Sequence, residues 1–159
     1  MKIKNTHSRT IHQPIEMVTA LLPSLATKED KIWPLEKWPK MYFKEGKTEG
    51  AIGGHGPIAY QITKYIPNNL IEFSFLKPKG FKGKHFFEIN AINDKKTEVK
   101  HTILMEAQGI AILSWVVIIR WLHDALLEDA FDKIESHFLP NSEKNTWSIW
   151  VRILRFILK

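Results

Sequence analysis

Between Met41 and Gln108 the chain alternates apolar and polar residues with a period of two, the pattern of strands with one buried face. Ile58, Tyr60 and Ile62 share one side of a strand, and Ile71, Phe73 and Phe75 share a side of the next. Pro67-Asn68-Asn69 supplies turn chemistry between them. Phe87, Ile89 and Ala91 then alternate with Glu88 and Asn90, and after Asn93-Asp94-Lys95-Lys96 come Val99, His101, Ile103, Met105 and Ala107. Short turns between successive strands predict an antiparallel meander, one face of which needs a cover from elsewhere in the chain. That cover is a helix predicted from Ile110 to about Phe138, with Gly109 before it and Pro140 after it. At about 100° per residue, Trp115, Ile119, Leu122, Leu126, Ala130 and Ile134 fall on one arc. Asp124, Glu128, Asp132 and Glu135 fall opposite and read as a solvated, ion-paired row with Arg120. Ahead of the meander, Ile3 to His12 alternates weakly as a strand, Pro14 opens a short amphipathic helix ending near Pro23, and Ser24 to Lys40 connects them.

Composition narrows the chemistry. A chain of 159 residues with 44% hydrophobic and 25% charged residues is sized and composed for one globular domain. The lack of cysteine removes disulfides, thiolate nucleophiles, iron–sulfur clusters and cysteine-ligated zinc. No apolar run follows Met1, so a cytoplasmic setting is the expectation. The net charge of +6 raises the question of an anionic partner, but no recognition motif accompanies it and nucleic acid is not expected. Much of that excess sits in the tail, where Lys144, Arg152, Arg155 and Lys159 outnumber Glu143.

The strand–helix opening with Pro14, the meander and the long closing helix resemble the START-like (SRPBCC) superfamily of polyketide cyclases, lipid-transfer and plant-allergen-like proteins. Two segments sharpen the likeness to bacterial members of undefined function, Gly53-Gly54-His55-Gly56-Pro57-Ile58-Ala59-Tyr60 and His123-Asp124-Ala125-Leu126-Leu127-Glu128-Asp129. The resemblance covers roughly Met1 to Phe138. It implies an α+β helix-grip fold, a curved antiparallel sheet wrapped around a long C-terminal helix, with a cavity between them that takes apolar ligands. The domain is expected over residues 1–139, with residues 140–159 forming an additional basic amphipathic helix.

Candidate chemistry centres on histidines. His123 falls near the middle of the apolar arc and should face the sheet; His101 shares a strand side with Ile103 and Met105, and His85 shares one with Phe87. Three imidazoles therefore look toward one interior, where they could orient a ligand or exchange protons near neutral pH. The expected ligand-contacting set is Tyr60, Phe73, Phe75, His85, Phe87, His101, Ile103, Met105, Leu122, His123 and Leu126. No nucleophile–base arrangement is readable, so binding of a hydrophobic or lipid-like small molecule is favoured over a cyclase- or dehydratase-like enzyme using these histidines with Tyr60. Gly53, Gly54 and Gly56 read as a hairpin needing positive φ rather than a phosphate loop, because no lysine or helix follows. His55, at that turn, could line a cavity mouth, though a solvated loop histidine is the favoured reading. His123 and Asp124 point about 100° apart on a helix, so no metal is predicted, and no cofactor.

The tail is the least ordinary segment. If Trp147 to Lys159 is helical, Ser148, Arg152, Arg155 and Lys159 cluster on one side and every other position is apolar. Thirteen residues span about 20 Å, too short for a hydrocarbon core of about 30 Å. Such a helix lies on a membrane surface or packs against protein. Trp147, Trp150, Arg152, Leu154, Arg155 and Lys159 are the expected contacts to an anionic membrane, to a second copy of the chain or to its own domain. A membrane- or protein-interaction module is thus the second alternative.

Overall fold

The computed structural model describes residues 1–158. Lys159, expected at the tail's basic face, lies outside the described residues. Seven strands form one antiparallel sheet in the order β1-β7-β6-β5-β4-β3-β2, comprising β1 (Lys2–Ile11), β2 (Tyr42–Phe43), β3 (Ile52–His55), β4 (Ile58–Ile66), β5 (Leu70–Lys77), β6 (Phe81–Asn93) and β7 (Lys96–Ala107). The meander runs antiparallel from β4 to β7, as the period-two pattern predicts, with register shifts at Ala59/Tyr60, Ile62/Lys64 and Ala91/Asn93, and β1 closes onto β7 with His7 opposite His101. The predicted opening helix is short, α1 (Ile15–Thr19) followed by a single 3-10 turn over Leu22–Ser24.

The covering helix is continuous from Ile110 to Phe138. Its parts are α2 (Ile110–Ser114), a π-helical turn (Trp115–Ile119) and α3 (Arg120–Phe138). The wide turn inserts into the α-helical ladder where Trp115 is buried, and so changes which side chains face the sheet. Ala125, Leu126, Phe131 and Ile134 of α3 are buried in one core with Ile62, Ile71, Ile89 and Val99 of the sheet. This is a helix-grip fold.

Two sequence expectations need correction. The acidic row of α3 is not a solvated ladder: it lies over β1, whose inward residues are polar. Asn5 Nδ2 donates to Asp124 at 3.0 Å, and Arg9 reaches Glu128, Asp132 and Glu135 at 2.8–3.2 Å. Of the three glycines, Gly56 alone has positive φ, 51°. Gly53 and Gly54 are needed because strands approach closely there, so that a Cβ would fall 2.3 Å from the carbonyl oxygens of Tyr42 and Ile58 respectively. Among the alternatives for the tail, α4 (Ile149–Ile157), capped by Ser148 Oγ accepting from Val151 N, packs back on its own domain through buried Val151 and Leu154.

Candidate functional site

Sheet, long helix and the 24–41 connection enclose a cavity of about 340 Å³. Its sheet side carries Phe73 and Phe75 of β5, His85 and Phe87 of β6, and His101 and Ile103 of β7, because alternate positions of neighbouring strands point the same way. The helix adds Leu122, His123 and Leu126. Two expected members are not in the wall. Tyr60 is fully buried behind it, packed against Phe73 at a ring separation of 4.8 Å and against Phe43 at 6.3 Å. Met105 packs with Ala107 and Ala111 in the cluster of Phe81, Ile103 and Trp115, without itself lining the cavity.

The wall also contains residues that periodicity could not reveal. Leu25, Ile32, Trp33, Trp38 and Met41 come from the connection between α1 and β2, which has no regular period. Its shape is set by buried Asp30, which accepts from the backbone N–H groups of Ala26, Ile32 and Trp33 at 2.6–2.8 Å. Asp129 then ties the connection to the helix, accepting from Lys37 Nζ at 2.6 Å, Trp38 Nε1 at 2.7 Å and Trp147 Nε1 at 2.8 Å. His55 lines the cavity instead of facing solvent, with its ring 4.7 Å from that of Trp33, and burial pushes its pKa down to about 3.

The tail completes the enclosure. Arg155 and Leu158 lie in the cavity wall, with the Arg155 guanidinium 4.5 Å above the Trp38 ring and bonded to the Lys37 carbonyl. Trp147, Leu154 and Arg155, three of the six expected external contacts, are thus taken up by the chain's own domain. Arg152 remains exposed. Trp150 is partly so, its Nε1 donating to the Val117 carbonyl at 3.0 Å.

The polar chemistry of the cavity is carried by a line of imidazoles. His85 Nδ1 and His101 Nε2 share a hydrogen bond of 3.1 Å, and the His101 and His123 rings are 5.1 Å apart. Burial pushes the pKa of His85 and of His101 well below the usual imidazole value, so both are neutral near pH 7. Burial lowers that of His123 too, against the opposing pull of Asp124. His7 is the exception. Its Nε2 lies 3.0 Å from Asp124 and its Nδ1 3.0 Å from Glu128; the Asp124 bond leads in raising its pKa, so this ring is readily charged. Burial opposes ionisation of Asp124, but the hydrogen bonds from His123 and His7 outweigh it and hold the carboxyl well below its ordinary range.

Ligating atoms of His7, His123 and Asp124 lie within 4.8 Å of one another, a spacing that could hold a cation. Both His7 nitrogens are engaged with carboxylates, however, and the cation this cluster accommodates is the imidazolium itself. The helical argument about His123 and Asp124 missed the cluster because its third member arrives from β1. Chemically, the site offers an apolar enclosure, neutral imidazoles able to donate or accept, and one cation in its wall, Arg155.

No family model matches the chain, and no curated protein matches it by sequence. Solved structures do. A solution structure from Thermobifida fusca superimposes with a TM-score of 0.65 at 12% identity, covering 91% of this chain and 99% of that one. CalU16 from Micromonospora echinospora gives a TM-score of 0.60 at 9% identity, with coverages of 98% and 83%. Truncated norcoclaurine synthase from Thalictrum flavum gives a TM-score of 0.67 at 11% identity, with coverages of 89% and 96%. At these identities the likeness is one of fold.

Proposed function

We propose that the protein binds a small, mostly apolar molecule in the cavity between sheet and helix. The observation that carries this reading is the 340 Å³ space walled by aromatic and aliphatic side chains with a few histidines, the usual make-up of a small-molecule site. A core that existed only for stability gains nothing from such a void, since empty apolar volume costs about 24 cal/mol per Å³ in large-to-small core substitutions. Fold neighbours as different as CalU16 and norcoclaurine synthase support a ligand-binding or cyclase-like role for the hollow. The test is to fill it. Leu122→Trp places an indole in the space; titration with naphthalene, followed through quenching of the wall tryptophans Trp33, Trp38 and Trp115, should show saturable binding to the parent and at least a tenfold loss in the variant. Binding unchanged by the added indole would remove the cavity from the account.

A second reading is favoured by one observation on the outside. Ile149, Phe156 and Ile157 of α4 are 67–82% exposed, and Ile110 and Leu113 of α2 are 59–77% exposed. On this reading these faces contact an anionic lipid surface, with exposed Arg120 and Arg152 supplying positive charge. Leu158, at the end of the same helix, lines the cavity, which supports a lipid contact beside the binding space. Co-sedimentation with phosphatidylcholine/phosphatidylserine vesicles should be salt-sensitive, and Phe156→Ser with Ile157→Ser should reduce the bound fraction several-fold. Retention by neutral vesicles alone, or a concentration-dependent dimer abolished by the same pair of changes, argues against the lipid contact.

A further inference from the structure

Charge in the cavity wall is one-sided. Among the described residues that line it there is no aspartate, glutamate or lysine, and Arg155 alone carries a fixed charge. The four lining histidines do not compete with it, because burial holds His55, His85, His101 and His123 below the ordinary imidazole pKa.

That charge has no counter-ion among the described residues. Arg9 meets Glu128, Asp132 and Glu135, Lys37 meets Asp129, and Lys133 meets Glu36. Arg155 instead lies with its guanidinium 4.5 Å from the Trp38 ring and 5.6 Å from the Trp147 ring, its Nη2 donating to the Lys37 carbonyl. The carboxylate that holds those two indoles, Asp129, is already shared by Trp38 Nε1, Trp147 Nε1 and Lys37 Nζ. Among the described residues nothing accepts from Arg155 Nη1. A guanidinium cannot shed its charge, so drawing it half out of water without an anion is unfavourable, and an anion that reaches it gains accordingly.

Position decides how an anion would lie. The lining residues Pro39, Pro57 and Leu158 are exposed, which puts the mouth of the cavity between the connection, the β3–β4 turn and the end of α4. Arg155 stands at that mouth, three residues before Leu158 and stacked on the neighbour of Pro39. Away from it the wall is apolar, with Phe73, Phe75, Phe87 and Leu122. We propose that the cavity selects amphiphilic anions, apolar molecules ending in a carboxylate, with the charged end on Arg155 at the mouth and the apolar body inside.

This proposal rests on the cavity-binding reading and adds the chemical class of the ligand. Two features favour a charged end over a neutral polar one. A hydrogen bond between guanidinium and carboxylate is roughly twice as strong as one between neutral groups. The two indoles and the Lys37 carbonyl hold the guanidinium in place before any ligand arrives, so little side-chain freedom is lost on binding. At the mouth the carboxylate also keeps part of its hydration, which limits the cost of taking it from water.

Three rigid probes separate the cases: 2-naphthoate, its uncharged counterpart 2-naphthamide, and naphthalene, titrated at about pH 7.5 against the intact chain. 2-Naphthoate should bind at least about tenfold tighter than 2-naphthamide, the margin of a charge-assisted bond over a neutral one. In Arg155→Gln the ratio of the two affinities should fall towards one, and Arg155→Lys, which keeps the charge without the planar fork, should retain part of it. Equal binding of 2-naphthoate and 2-naphthamide to the parent overturns the proposal while leaving the cavity as a binding site. A ratio unchanged in Arg155→Gln, whether or not both affinities drop, overturns it too and leaves Arg155 as a latch for the tail. Binding of none of the three overturns the cavity reading as well. The comparison in the parent protein stands even if a variant fails to fold.

Discussion

At the scale of single residues, Asp129 shows how one buried charge can organise a site it does not line. Its carboxylate is 1% exposed, and its partners come from two parts of the chain: Lys37 and Trp38 from the connection, Trp147 from the tail. Two of those donors are indole N–H groups, which when buried need an acceptor. Removing the carboxylate leaves both indoles unpaired, at a cost of about 1–3 kcal/mol for a buried donor stranded, while the Lys37 ammonium, 40% exposed, turns to water. Asp129→Ala is therefore expected to destabilise the fold by about that amount in urea denaturation. It should also loosen the cavity wall, because Trp38 and Arg155, which stacks on it, lose their anchor. A cost below about 1 kcal/mol would mean that the indoles find water as well and that the wall is not set from Asp129.

At the scale of elements, sequence periodicity reveals what is periodic and little else. Strands β4 to β7 and the helix from Ile110 to Phe138 are legible because each has one apolar face against the core, so burial is written in the spacing of Phe73, Phe87 or Leu126. On β1 alternation finds the strand but not what its inner face meets. That face is Ile3, Asn5, His7, Arg9 and Ile11, with three half-buried polar residues between the isoleucines because they meet the acidic stripe of α3 rather than an apolar one. Read separately, each face looks solvated; only their pairing buries them. The connection carrying Trp33 and Trp38 is invisible for another reason, its form being fixed by side-chain bonds to Asp30 and Asp129, which have no period. His85, His101 and His123 were readable as inward-facing from strand and helix phase, whereas His55 was not, since a glycine turn gives no phase. Tyr60 shows the limit of phase. It shares a strand side with the wall residues but lies one layer behind them, a depth that alternation does not encode.

At the scale of the whole molecule, the histidines make stability depend on pH with a predictable sign. Burial lowers the pKa of His55, His85, His101 and His123 below the ordinary value of 6.5, most plainly to about 3 for His55. Below pH 6.5 the unfolded chain takes up these protons and the folded chain does not, so stability falls as the pH drops from 6.5 towards each lowered value. A ring whose folded pKa lies well below 6.5, as that of His55 does, contributes a slope of about 1.4 kcal/mol per pH unit in that window. His7 acts in the opposite sense. Its pKa is raised, so its contribution is complete below 6.5 and is lost as the pH rises through the folded value. Asp124 is held low, so what it contributes above 3.8 survives until much lower pH and is not the source of a loss near pH 5. Urea denaturation at pH 7.5 and 5.5 should therefore show a marked drop at the lower pH, reduced by about one ring's share in His101→Phe. A flat profile across that interval would mean that the folded rings take up protons as readily as the unfolded ones.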